Sequence, residues 1–69
     1  MAHRLTNLNT ERASAGHSIA RLAQLATTSE WLLMMLEEGG TCTGDEAQRI
    51  ADALGISLET LGKIDLDGY

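Results

Sequence analysis

His3, His17 and Cys42 are the residues with which this chain could hold a metal, and their separations match no metal-binding motif. Gly39-Gly40-Thr41-Cys42-Thr43-Gly44 has the glycine content of a phosphate loop. Asp45 follows where that chemistry needs a lysine, and no strand precedes the loop, so the segment reads as a helix end running into the cap of the next helix. The carboxylate pairs Glu37-Glu38 and Asp45-Glu46 fall near helix ends and read as solvated charges. Nucleophile, base and orienting group do not fall at recognisable positions, so no enzyme, cofactor or small-molecule substrate is expected. What stands out is Trp31-Leu32-Leu33-Met34-Met35-Leu36, six apolar residues in a row. Trp and Met are enriched in surfaces that bind other macromolecules.

These residues have to be positioned by a single small domain. With 69 residues the chain buries roughly 60% of the surface that it exposes unfolded, so stability is thin. A lone cysteine forms no internal disulfide and suits a reducing compartment. The N-terminal residues lack the apolar core of a secretory signal, and the longest apolar run falls far short of the ~20 residues of a membrane span. A cytoplasmic protein is expected. Its net charge of −5 is uneven: residues 1 to 29 carry Arg4, Arg12 and Arg21 against Glu11, and the rest carries Arg49 and Lys63 against nine carboxylates. Three arginines make a faint footprint for a nucleic-acid binder.

With no proline and no alternating β-branched stretch, the chain reads as all-α. Ser18, Ser29, Thr43 and Ser57 stand where N-caps belong, and Thr43 with Glu46 forms a capping box. Gly16, Gly39-Gly40, Gly55 and Gly62 stand where helices end. The spacing predicts five helices: Arg4 to Ala15 (or a shorter one capped by Asn9), Ile19 to Leu25, Glu30 to Glu38, Gly44 to Leu54, and Leu58 to about Lys63. Residues 1–63 form the domain, and residues 64–69 an acidic and apolar tail, loose or laid on it. The core is drawn from Leu5, Leu8, Ile19, Leu22, Ala23, Leu33, Leu36, Ala47, Ile50, Ala51, Leu54, Ile56, Leu58 and Leu61. Trp31, Leu32, Met34 and Met35 are left over.

Two short helices joined by a tight turn, Ser18-Ile19-Ala20-Arg21-Leu22-Ala23-Gln24-Leu25-Ala26-Thr27-Thr28-Ser29, have the build of a helix-turn-helix. Here the chain resembles the Cro and phage-repressor-like, or xenobiotic response element, family. Leu36-Glu37-Glu38-Gly39 is similar to that family's "Ile-Glu-x-Gly" helix ending. Arg49-Ile50-Ala51-Asp52-Ala53-Leu54-Gly55-Ile56-Ser57-Leu58-Glu59-Thr60-Leu61 is very close to its fourth and fifth helices. The resemblance runs from about Leu8 to Leu61. It implies a compact five-helix bundle of the phage-repressor-like type and a transcriptional regulator that binds duplex DNA as a dimer.

Carried over position by position, the resemblance puts Thr28, Ser29, Glu30 and Trp31 near the groove and Arg12 and Arg21 near phosphates. The chain departs from the family in three places. Thr27 replaces the usual turn glycine, at a cost of ~1 kcal/mol if the backbone keeps that turn. Ile19 replaces a glutamine that often holds phosphate. Glu30, Trp31, Leu32, Met34 and Met35 occupy positions that commonly carry polar reading residues. The alternative is therefore an interaction module without DNA binding, in which Trp31, Leu32, Met34 and Met35 serve self-association or a host or phage protein partner. A third possibility is that these side chains are covered from within, by the first helix or by Ile64, Leu66 and Tyr69 of the tail.

Overall fold

All four hydroxyls expected to start helices do so in a computed structural model that describes residues 2–65. The Ser18 Oγ accepts from the Arg21 N–H at 3.0 Å and the Ser29 Oγ from the Leu32 N–H at 3.0 Å. The Ser57 Oγ accepts from the Thr60 N–H at 3.2 Å. Thr43 and Glu46 close their box, with the Glu46 N–H on Thr43 Oγ1 at 3.2 Å and the Thr43 N–H on Glu46 Oε1 at 2.9 Å. Each cap removes an orphan donor at a helix start, worth typically ~1 kcal/mol.

The described elements run β1 (Ala2–Arg4), α1 (Leu8–Ser14), α2 (Ile19–Ala26), α3 (Glu30–Glu37), α4 (Gly44–Leu54), α5 (Leu58–Leu61) and β2 (Lys63–Asp65). Helix α2 packs on both α4 and α3, α1 on α3, α5 on α4, and β1 on α4. Leu8, Leu22, Leu33, Leu36, Ile50 and Leu61 are fully buried at the centre, each worth about 1.5–3 kcal/mol relative to exposure. Ile19, Leu54, Ile56 and Leu58 pack around them partly buried, as do Met35 and Ala53. Leu32, Ala26 and Cys42 join the core beyond the residues expected there.

The protein is mostly helical, with five helices among the described residues, as expected of an all-α chain; what the sequence did not suggest is a short two-stranded ribbon. β1 and β2 pair antiparallel with Ala2 opposite Asp65, His3 opposite Ile64 and Arg4 opposite Lys63. On its other side β1 meets Cys42, where the His3 N–H reaches the Cys42 carbonyl at 2.9 Å and the Cys42 N–H the His3 carbonyl at 3.0 Å. Three-residue strands carry no periodicity of their own, and their partners lie far along the sequence. Residues 64 and 65, expected to begin the tail, belong to this ribbon, and residues 66–69 lie outside the described residues.

The same ribbon shortens α1 and α5. Arg4 is in a strand, and Asn7 is held by the end of α5: its N–H donates to the Leu61 carbonyl at 2.9 Å and its Nδ2 to the Thr60 carbonyl at 2.9 Å. Asn7 therefore sits at the start of α1 without capping it by its side chain, while Asn9 is inside the helix. Gly62 lies where the exit of α5 crosses the entry to α1. A Cβ there would overlap the Arg4 carbonyl oxygen and come within 2.6 Å of Leu5 Cα and 2.9 Å of Thr6 N. All three are backbone atoms that cannot swing aside, and the Gly62 φ of 176° is ordinary extended chain, so the demand for glycine here is steric. Gly62→Ala is expected to lower unfolding stability by about 2–3 kcal/mol in urea or thermal melts; a melt matching the parent would contradict this crossing.

Candidate functional site

Helix α2 ends on a left-handed residue, Thr27, with φ 54° and ψ 49°. Two backbone bonds close the turn, from the Thr27 N–H to the Gln24 carbonyl at 3.3 Å and from the Thr28 N–H to the Ala23 carbonyl at 2.9 Å. This is the Schellman pattern. The same pair of bonds ends α1 at Gly16, α3 at Gly39 and α4 at Gly55, all with positive φ. Three of the four turns use glycine and the fourth a β-branched residue, for which the left-handed region costs roughly 1–2 kcal/mol. The chain keeps the turn and bears the strain.

Beyond the turn, Thr28 is half-buried and Ser29 caps α3. Leu33 and Leu36 face the core from α3, and so does Leu32, at 9% exposure. Because α3 lies against both α1 and α2, its buried arc is wide enough to take in Leu32. The expectation that Leu32 belongs to a binding surface is thereby corrected, and Met35 is half-buried against the core. Trp31 at 68% exposure and Met34 at 46% remain outside, with Glu30 and Glu38 exposed on the same side of the helix. A groove open to solvent runs beside them, lined by Ser18, Arg21, Gln24, Thr28, Ser29 and Glu30.

The two arginines expected near phosphates have different surroundings. Arg21 is exposed in this groove, its Nη1 donating to Gln24 Oε1 at 3.3 Å. Arg12 is held inside the fold: Nε donates to Glu37 Oε2 at 2.7 Å, Nη2 to Glu37 Oε1 at 3.3 Å and Nη1 to the His17 carbonyl at 2.9 Å. Both side chains of this α1–α3 ion pair are mostly covered, and the hydrogen bond to Glu37 pushes the Arg12 guanidinium pKa up, keeping it charged. Arg12 thus orients α3 rather than lying free on the groove.

Ser18, whose spacing marks it only as a cap, and Gln24, which no motif singles out, both line the groove. Gln24 lies three residues after Arg21, a spacing that puts the two on one helix face.

Of His3, His17 and Cys42, the fold brings His3 and Cys42 side by side in the bridge beside β1, which is fewer ligands than a metal site needs. Among the described residues no cluster of three or more His, Cys, Asp or Glu is placed to hold a metal ion. Cys42 is buried, and burial together with the nearby Glu46 charge pushes its thiol up to about 11, so it is protonated and inert near neutral pH. Among the described residues no helix is long and apolar enough to cross a membrane. No protein family, curated protein or solved structure matches the chain.

The strain at Thr27 is measurable. Thr27→Gly relieves the left-handed penalty and adds back about 0.5–1 kcal/mol of unfolded-state entropy cost. The variant should therefore gain about 0.5–1 kcal/mol in stability by urea titration; a loss would mean that the turn does not hold this conformation.

Proposed function

We propose that this protein is a small transcriptional regulator that binds duplex DNA as a dimer, placing the N-terminal turn of α3 in the major groove. The observation that carries this reading is the α2–turn–α3 unit, with the start of α3 and the adjoining groove both open to solvent. The resemblance of the segment from Leu8 to Leu61 to the phage-repressor-like helix-turn-helix family supports it. Thr28, Ser29, Glu30 and Trp31 meet the DNA, Arg21 takes a phosphate, and Arg12 acts from behind by holding α3. The protein works without catalysis or cofactor, in the cytoplasm.

Electrostatics limits the affinity. The groove carries the guanidinium of Arg21 and the carboxylate of Glu30, on a chain of net charge −5. Few phosphates are neutralised, so little of the binding comes from counterion release.

A second reading is favoured by Trp31, whose exposure is high for so large an apolar side chain. In it the domain binds no DNA, and Trp31 with Met34 docks on a host or phage protein. Of the other two apolar residues expected on this surface, Leu32 is buried in the core and Met35 packs half-buried against it.

Titration of a labelled duplex separates the readings. The DNA-binding reading expects complex formation at low salt, with log K falling against log salt at a slope of only about −2 to −4 per dimer. Arg21→Gln should weaken all sequences alike and flatten that slope by about one per subunit. Absence of any complex at low salt, where attraction is strongest, overturns it.

A further inference from the structure

At its N-terminal end, the outward side of α3 sets one carboxylate, Glu30, beside apolar groups. Glu30 and Met34 are four residues apart and Trp31 and Met34 three, so the three share one patch, and all are exposed. A carboxylate only accepts hydrogen bonds. The Ser29 Oγ, just before them, accepts from the Leu32 N–H and caps the helix, which leaves only its O–H to donate. A second copy of the chain is a poor occupant: antiparallel pairing of α3 on itself about Met34 would set Glu30 against the exposed Glu38.

Among bases seen from the major groove, guanine offers two acceptors, adenine a donor beside the acceptor N7, and thymine a methyl group beside the acceptor O4. An acceptor in each opposes the carboxylate. Cytosine differs, because its N4 amine donates and the neighbouring edge is carbon 5, bare or, in 5-methylcytosine, carrying a methyl group. We propose that this face of α3 reads cytosine in duplex DNA, and 5-methylcytosine more tightly, Glu30 accepting from N4 while Trp31 and Met34 cover carbon 5. The inference rests on the DNA-binding reading and names the base that it selects.

Selection from randomised duplexes, followed by titration of matched duplexes carrying cytosine or 5-methylcytosine at the selected position, tests it. The selected sites should share a cytosine, and methylation should tighten binding about fourfold, the value of one buried methyl group. Glu30→Gln should weaken the cytosine site about tenfold and shift selection to adenine, which glutamine pairs in bidentate fashion. Trp31→Ala should remove the methylation gain. All three side chains are exposed, so unchanged melting curves establish that the variants stay folded. Binding that selects thymine, guanine or no base, or that is indifferent to Glu30→Gln, overturns this inference and leaves the DNA-binding reading standing. Failure of the parent protein to bind any duplex at low salt overturns both.

Discussion

The two backbone bonds that cross Thr27 decide how α3 leaves α2, and with it which side chains of α3 reach solvent. The chain makes that turn four times and yields to glycine in three. Where it uses threonine, the surroundings hold the geometry: Ala26 is buried beneath the turn, Ser29 caps the helix that follows, and Leu32, Leu33 and Leu36 seat that helix on the core. The strain at Thr27 persists because the structure on both sides of the turn fixes its backbone.

A second restraint works from the other end of α3. Glu37 in its last turn grips Arg12 of α1, and Arg12 in turn holds the His17 carbonyl just before α2. One guanidinium thereby ties the outgoing end of α3 to the segment that feeds α2. The ribbon makes the comparable closure for the chain ends, with β1 held between Cys42 and β2, and Asn7 fastened to the last carbonyls of α5. In a domain of this size such closures substitute for a larger core.

Much of this was legible in the residues, and the division is physical. The caps at Ser18, Ser29, Thr43 and Ser57 act within one helical turn, so spacing alone located them, and α4 runs from Gly44 to Leu54 as expected. Whatever depends on a distant partner was illegible. Arg12 reads as a free cation until Glu37 is brought beside it, and Arg4 reads as helical until β2 pairs with it. The apolar run on α3 is the instructive case. Composition flags Trp31 through Leu36 as one unit, and only packing on two neighbouring helices divides it, taking Leu32, Leu33 and Leu36 inward and leaving Trp31 and Met34 outside.

That division places the single tryptophan of the chain on the surface in question. The most direct measurement is its fluorescence, recorded over a range of protein concentrations and then during addition of duplex DNA at low salt. DNA binding through an exposed Trp31 predicts red-shifted emission that does not change with concentration, quenching as duplex is added, and recovery when salt is raised. A blue-shifted tryptophan in the free protein, or one that ignores duplex DNA at low salt, would contradict it.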